Sequence, residues 1–235
     1  MRDRDPLELV ASIPLFSSLE PAALRSLAAL LRPRRYSARQ TVVWEGEPGG
    51  TLFLSLTGYF KAVTAGSDGK EVLLSVMGPG EVFGELSVLD GQPRSASVIT
   101  IEAGELASIE RPALLELMRN SPSLAIGLIE VLAQRVRNLT KRCETISSQD
   151  VSQRLAQVLV SLAEKHGQTE GKQVKIPVRL SQQDLGSMVG ATRESVNKQL
   201  RKWRQIGVLR HETGCVVISN LAALSAASSE SGASE

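Results

Sequence analysis

The sequence predicts an α+β chain made of a β-rich N-terminal domain, one long helix and a small C-terminal domain of helices and a hairpin. Three observations lead there. Between Tyr36 and Arg111, short runs of Val, Leu, Ile, Phe and Thr alternate with Gly- and Pro-bearing turns, the pattern of a compact barrel, sandwich or roll. From Leu124 to Ile146 the apolar spacing becomes helical. Beyond Asp150, two closely spaced helices with capping residues are followed by a hairpin pattern.

In chain order, residues 6 to 31 are Leu- and Ala-rich with helical spacing and are broken by Pro14 and Pro21, which predicts two short helices. The strands follow in TVVWE, TLFLSLTGYFKAVTA, KEVLLSVM and SASVITIEAGELASIE, separated by the turns EGEPGG, GSDGK, MGPGE and DGQPR. Leu124, Leu128, Leu132, Val136, Leu139, Cys143 and Ile146 are spaced by 4, 4, 4, 3, 4 and 3 residues. This stripe settles into a coiled-coil seam, with Arg135, Arg137, Lys141, Arg142 and Glu144 on the opposite face. It predicts a symmetric helix pair across a homodimer axis. The competing expectation is a stripe that docks on its own β domain. On the seam, Cys143 is expected as a small packed apolar residue. The expected boundaries are 1–120 for the β domain, 121–150 for the helix and hinge, 151–222 for the C-terminal domain, and 223–235 for a Ser/Ala-rich disordered tail.

Composition excludes several classes. The 235 residues are 42% hydrophobic and 22% charged, as in ordinary globular proteins. Two cysteines, Cys143 and Cys215, make no disulfide framework and no Cys-x-x-Cys pair. The histidines are His166 and His211, expected on the surface, so haem, His-ligated metal and Cys-ligated cluster chemistry are not expected in the β domain. No nucleophile–base arrangement points to an enzyme. The start, MRDRDPLELV, lacks the apolar stretch of an export signal, and no apolar segment is long enough to span a membrane. A cytoplasmic protein without a prosthetic group is the expectation.

The segment LSQQDLGSMVGATRESVNKQLRKWRQIGVL reads as two helices joined by a tight turn. Ser181 caps the first, with Asp184 completing a variant capping box, and Thr192 caps the second. Gly190 stands at the inter-helix turn, and Leu185, Val189, Ala191, Val196 and Leu200 supply the shared apolar interface. This is a helix-turn-helix pattern, and VLRHETGCVVIS, turning at Thr213 and Gly214, supplies a wing. Its second helix carries Arg193, Lys198, Arg201, Lys202 and Arg204 against one acid, Glu194. The formal charge of +2 conceals an uneven distribution: residues 151 to 222 carry +6, residues 1 to 150 carry −2, and the tail carries −2. A localised +6 is the electrostatic footprint for phosphate neutralisation, so duplex DNA is the expected partner.

Within the β region lies GEVFGELSVLDGQPRSASV. Gly84 and Glu85 open a short helical stretch whose backbone N–H groups suit an anion, and Arg94 and Ser95 add a fixed charge and a hydroxyl. These residues suit one phosphate and one sugar; taken alone, they equally suit a Glu85–Arg94 salt bridge that closes a turn.

The order of elements resembles the cyclic-AMP receptor protein (CRP/FNR) family of bacterial transcription regulators over nearly the full chain. The resemblance is carried by EGEPGGTLFLSLTGYFKAV, FGELSVLDGQPRSASV, the long seam helix, the hinge-like DVSQRLA and GATRESVNKQL. It implies a cyclic-nucleotide-binding jelly roll, a dimerisation helix and a winged helix-turn-helix. By this resemblance Glu85 holds a ribose hydroxyl, Arg94 and Ser95 hold the cyclic phosphate, and Gly84 and Leu86 lie against the ligand. On the DNA side it implies Arg193 and Lys198 on guanine, Glu194 on cytosine, and a palindromic TGTGA-like operator. Ser181, Thr192, Arg201 and Lys202 complete the DNA-binding set. In the cyclic-AMP branch two consecutive hydroxyl or amide residues of the seam helix reach adenine; here they are Leu139 and Thr140. Thr140 retains one polar contact, while Leu139 neither donates nor accepts. The implied effector is cyclic AMP and the implied further partner RNA polymerase, with the loop from His166 to Gly171 as its contact. A second reading keeps DNA binding but gives the pocket another nucleotide, such as a cyclic dinucleotide, or no ligand. A third is a cyclic-nucleotide-binding regulatory subunit.

Overall fold

The computed structural model describes residues 6–11, 13–17, 19–66, 69 and 71–229. It divides into two compact units: residues up to Thr64 with Ser75–Asn138, and Ala65–Leu74 with Leu139 onward. Two helices, α1 (Pro6–Ala11) and α2 (Pro21–Leu30), precede the strands β1 (Arg32–Tyr36), β2 (Thr41–Val43), β3 (Thr51–Thr57), β4 (Phe60–Ala65), β5 (Glu71–Met77) and β6 (Val82–Phe83). Next come α3 (Glu85–Asp90), β7 (Ser97–Thr100), β8 (Gly104–Glu110), α4 (Arg111–Asn120) and the long α5 (Pro122–Ser148).

These strands form two four-stranded sheets, ordered β1-β8-β3-β6 and β2-β7-β4-β5. Period-two alternation divides their side chains between two cores. On β3, Leu52 and Leu54 enter a cluster that also holds Val10, Leu27 and Leu114 from the helices. Phe53, between them in sequence, enters the roll interior with Tyr36, Phe60, Met77, Phe83, Val98 and Leu106. There the rings of Phe53 and Phe83 stack with centroids 5.1 Å apart. Leu52, Phe53, Leu54 and Ser55 are buried one after another, as in a strand covered on both faces.

The long helix departs from the expected single stripe. Leu124 and Leu128 are buried in the helical cluster of the first unit, the docking that was the competing expectation. Ile126, Ile129, Val136 and Leu139 are instead exposed, each by more than half. With the half-buried Leu132 and the exposed Cys143, the set runs 129, 132, 136, 139, 143, spacings of 3, 4, 3 and 4. The exposed stripe is therefore rotated from the expected seam: Leu124 and Leu128 are taken up by the core of the first unit, and Ile126 and Ile129 are exposed in their place. Cys143 is exposed within the chain, and the side chain of Ile146 lies outside the described residues.

The second unit contains α6 (Val151–His166), β9 (Gln168–Glu170), β10 (Gln173–Ile176), α7 (Gln182–Val189), α8 (Arg193–Gln205), β11 (Leu209–Glu212), β12 (Cys215–Ile218) and α9 (Leu221–Ser229). A capping box of Asp150 and Gln153 opens α6, where Leu155, Leu159 and Leu162 are buried. The wing turns at Thr213 and Gly214, both at positive φ (50° and 83°), as a two-residue hairpin turn requires. One expectation is corrected. The tail is helical from Leu221 to Ser229, because alanine favours helix, Asn220 Oδ1 accepts from Ala223 N–H, and Leu224 is fully buried in a helix packed on α6. Residues 230–235 of the expected disordered tail lie outside the described residues. His211 is exposed and His166 half-buried.

Candidate anion pocket and nucleic-acid interface

In the first unit the segment expected to hold an anion folds around Gly84, whose φ of 80° is left-handed. A Cβ there would fall 2.9 Å from Thr51 O and against the Arg94 guanidinium, so glycine is required on both counts. This turn starts α3 with Glu85, whose carboxylate is only 1% exposed. Arg135 of α5 donates to Glu85 Oε1 at 2.5 Å and to Val82 O at 2.6 Å. Glu85 Oε2 is buried and, among the described residues, accepts from no group. Leaving a buried acceptor unpaired costs about 1–3 kcal/mol, so this oxygen marks where an incoming donor gains most.

Arg94 is 7% exposed. Its guanidinium donates to Ser87 Oγ at 2.8 Å, Gly84 O at 3.2 Å and Thr51 O at 2.9 Å, and lies 5.5 Å over the Phe53 ring. Burial lowers its pKa from the ordinary arginine value, and the carboxylates of Glu110, Glu47 and Glu85 oppose that shift. The EGEPGG turn fixes the main chain: Arg94 N donates to Glu47 O at 2.9 Å and Gly46 N to Arg94 O at 2.8 Å. Glu85, Leu86, Arg94, Ser95 and Arg135 line one cavity with the apolar Val43, Ala62, Met77, Phe83 and Val98. Its enclosed volume is about 70 Å³. Ser95 is exposed at the rim, and Leu86 is 43% exposed.

The structure thus brings together Gly84, Glu85, Leu86, Arg94 and Ser95. The Glu85 ion pair runs to Arg135, not to Arg94 as the turn-closing reading had it. Arg135 was missed because its partner lies 50 residues away; its only trace was a cation on the polar face of the helix. Leu139 and Thr140 are exposed, about five turns past the start of α5, on the stretch assigned to the second unit.

In the second unit the helix pair has the expected caps. Ser181 Oγ accepts from Asp184 N–H at 3.0 Å while Asp184 Oδ2 accepts from Ser181 N–H at 2.9 Å, and Thr192 Oγ1 accepts from Ser195 N–H at 3.1 Å. Gly190 ends α7 with a φ of 63°. Val196, Leu200 and Trp203 bury one face of α8. The opposite face presents Glu194, Asn197, Lys198, Arg201, Lys202 and Gln205 to a groove of about 1010 Å³, with Asp150–Ser152 on its far wall. Arg193 is exposed as the first residue of α8. Asn197 was missed. Its amide, one turn beyond Arg193, carries a donor and an acceptor side by side, the pattern that pairs with adenine N7 and N6. Among the described residues no cluster of His, Cys, Asp and Glu is placed to hold a metal, and no helix is long and apolar enough to cross a membrane.

Comparison with known proteins gives these two sites a common context. Residues 33–121 match the cyclic nucleotide-binding domain family, and residues 153–227 match the Crp-like helix-turn-helix domain. The chain is 36% identical over 213 residues to a CRP-like cAMP-activated global transcriptional regulator of Mycobacterium tuberculosis, covering 91% of this chain and 95% of that one. It is 30% identical over 211 residues to the cyclic AMP receptor protein of Thermus thermophilus, covering 90% and 94%. Among solved structures, the c-di-GMP-responsive global regulator CLP of Xanthomonas campestris superposes with a TM-score of 0.71 at 25% identity, over 85% of this chain and 99% of that one. With a cyclic-nucleotide-binding roll, a long helix and a Crp-like helix-turn-helix domain in one chain, this protein is a DNA-binding transcription regulator of the CRP/FNR family.

Proposed function

We propose that the chain acts as a homodimeric, cytoplasmic regulator that binds cyclic AMP in the roll pocket and a palindromic TGTGA-like operator through α8. The observation that carries the nucleotide reading is the buried, unpartnered Glu85 Oε2 in one cavity with the Arg94 guanidinium and the Ser95 hydroxyl. A ribose hydroxyl donates to Oε2 while Arg135 keeps Oε1, and Arg94 and Ser95 take the cyclic phosphate. Pockets for small ligands enclose roughly 300 Å³ or more, so the phosphate and sugar end is preformed and the base end opens on binding. The base then lies among Val43, Ala62, Met77 and Val98, and of the two seam-helix positions that the resemblance assigns to base recognition, Thr140 keeps a hydroxyl and Leu139 does not. This leaves phosphate and sugar recognition dominant over base recognition. Isothermal titration of the full chain with cyclic AMP, cyclic GMP and cyclic di-GMP tests this. Cyclic AMP is expected to bind once per chain, with cyclic GMP weaker; heat from cyclic di-GMP alone would replace the effector, and no heat from any of the three would remove it.

The heptad-spaced face of Ile129, Leu132, Val136, Leu139 and Cys143 supports the dimer, in which recognition helices sit about 34 Å apart, one DNA turn. Gln168, Thr169 and Glu170, expected in a loop, form the exposed edge strand β9, and this edge is the candidate contact with RNA polymerase. On α8, Arg193 and Lys198 read guanine, Glu194 reads cytosine and Asn197 reads adenine, while Arg201 and Lys202 serve phosphates and the Ser181 and Thr192 caps present backbone N–H groups. Arg193→Ala and Asn197→Ala should each lose about 1–3 kcal/mol of discrimination at one base pair, whereas Lys202→Ala should weaken all sequences alike. Competition binding with singly substituted operators measures this, and uniform losses in all three variants would contradict the assignment.

A further inference from the structure

The junction between α5 and α6 carries a guanidinium that lines neither the roll pocket nor the DNA-facing groove. The second unit includes α5 from Leu139 onward. There α5 ends at Ser148 and α6 starts at Val151, with Gln149 and Asp150 as the non-helical residues between them. Arg154, half-buried in the first turn of α6, spans that break. Its Nη1 donates to Gln149 O at 2.6 Å and its Nε to Val189 O at 2.8 Å. Gln149 closes the C-terminal end of α5, where its N–H bonds Thr145 O, and Val189 is the last residue of α7. One cation thus serves the negative ends of two helices. It does so from the positive end of its own helix, where a cation is disfavoured. On the other side of the break, Gln149 Nε2 donates to Ser228 O of α9 at 3.4 Å.

Holding Val189 also holds α8. Gly190 turns the chain at a φ of 63°, Ala191 N–H bonds Gly186 O at 2.9 Å, and a Cβ on Gly186 would fall 2.7 Å from Ala191 O. The turn between α7 and α8 therefore has little room to bend. The donors of Arg154 lie in one rigid plane, which fixes the Gln149 and Val189 carbonyls relative to each other. Resting on the dimer and operator reading above, we propose that Arg154 is a positioning residue that locks the α5–α6 junction and so makes the protein selective for the distance between its two half-sites. Base contacts on α8 decide which sequence is read; the lock decides how far apart two copies of it must lie. One inserted base pair moves a half-site by about 3.4 Å and about 34°. With the junction locked, the duplex has to absorb that mismatch by deforming, which costs about tenfold or more in affinity. With the junction free, the domain swings to follow.

The test uses the full chain and its Arg154→Gln and Arg154→Lys variants with cyclic AMP present. The probes are a palindromic duplex of the preferred spacing, duplexes with one or two base pairs inserted or removed between the half-sites, and a duplex carrying a single half-site. The wild type is expected to lose about tenfold or more at each changed spacing, and Arg154→Gln less than about threefold, with affinity for the single half-site unchanged. Arg154→Lys, which keeps the charge but not the planar fork, should fall between them. A variant that loses single-site affinity but keeps the spacing preference overturns the inference. So does a wild type that tolerates every spacing equally, which would leave the operator reading intact. Where Arg154→Gln does not fold, Arg154→Lys decides, and a profile as sharp as the wild type's overturns the inference. If the wild type does not prefer the palindrome to a single half-site, the dimer reading fails, and hydrogen–deuterium exchange of the wild type and Arg154→Lys decides the lock. Uptake rising together in residues 149–153 and 188–192, with 196–203 unchanged, supports it, and any other pattern overturns it.

Discussion

Arg94→Ala is expected to weaken cyclic-AMP binding by about a hundredfold while the chain remains folded. The side chain places a delocalised cation that is itself buried in the cavity wall, where a hydrogen bond to a charged group contributes about 1.5–3 kcal/mol, and each 1.4 kcal/mol is a tenfold change in affinity. The phosphate would lose both its counter-charge and the planar fork that can bind two oxygens at once. Arg94→Lys keeps the charge but not the fork, and its reduced reach leaves Thr51 O and Ser87 Oγ without their donor; a loss nearer tenfold is expected. Titration calorimetry, with thermal melting as the control for folding, orders the three proteins. Equal affinity of the wild type and Arg94→Ala would remove the phosphate role. The main-chain bonds between Arg94, Gly46 and Glu47 involve no side-chain atom of Arg94, so the turn is expected to survive the substitution.

The second large effect concerns α5. Val136→Glu combined with Leu139→Glu should convert the dimer to a monomer and reduce affinity for a full palindrome to nearly that for one half-site. Both residues are more than half exposed in the chain, so the substitutions leave the fold of each unit untouched. Across a two-fold axis each change appears twice, which sets four carboxylates in a narrow apolar seam where an unpaired charge is costly. Two heads on one dimer bind with an effective concentration that raises affinity by about 10² to 10⁴, and separating them forfeits that gain. Arg137→Glu, on the exposed opposite face of the helix, is the control and should remain dimeric. Sedimentation velocity reads the mass, and gel shifts with full and half operators read the affinity. A dimeric Val136→Glu/Leu139→Glu protein would show that this face is not the seam.

Features set by neighbours along the chain were legible. The Ser181–Asp184 box, the Thr192 cap, Gly190 and the Thr213–Gly214 turn each depend on residues within three positions of one another, and the side-chain types dictate their geometry. The helix-turn-helix and its wing could therefore be drawn before any tertiary contact was known. The seam was legible only in part. Its period named the helix, but periodicity does not say which stripe is taken up by the chain's own core, and Leu124 and Leu128 belong to that core. Composition misled at the C-terminus: alanine and serine resemble a linker until Leu224 finds an apolar place on α6.

The pocket shows the same division at the scale of the site. Gly84, Glu85, Arg94 and Ser95 lie within one short segment, so their chemistry was readable as a phosphate and sugar set. The competing salt bridge between Glu85 and Arg94 was equally readable, since two opposite charges near each other in sequence always permit it. Only the packing of α5 beside α3 decided between them, by supplying Arg135 to one carboxylate oxygen and leaving the other unpartnered. Ser187 and Arg142 bond the main chain of Leu73 across 114 and 69 positions, contacts that left no mark on the sequence. Local hydrogen bonds and side-chain periods determined which elements form and which chemistry they carry. The partner each buried polar group finds depends on contacts between distant segments, whose free energy is gained only once the whole chain has folded.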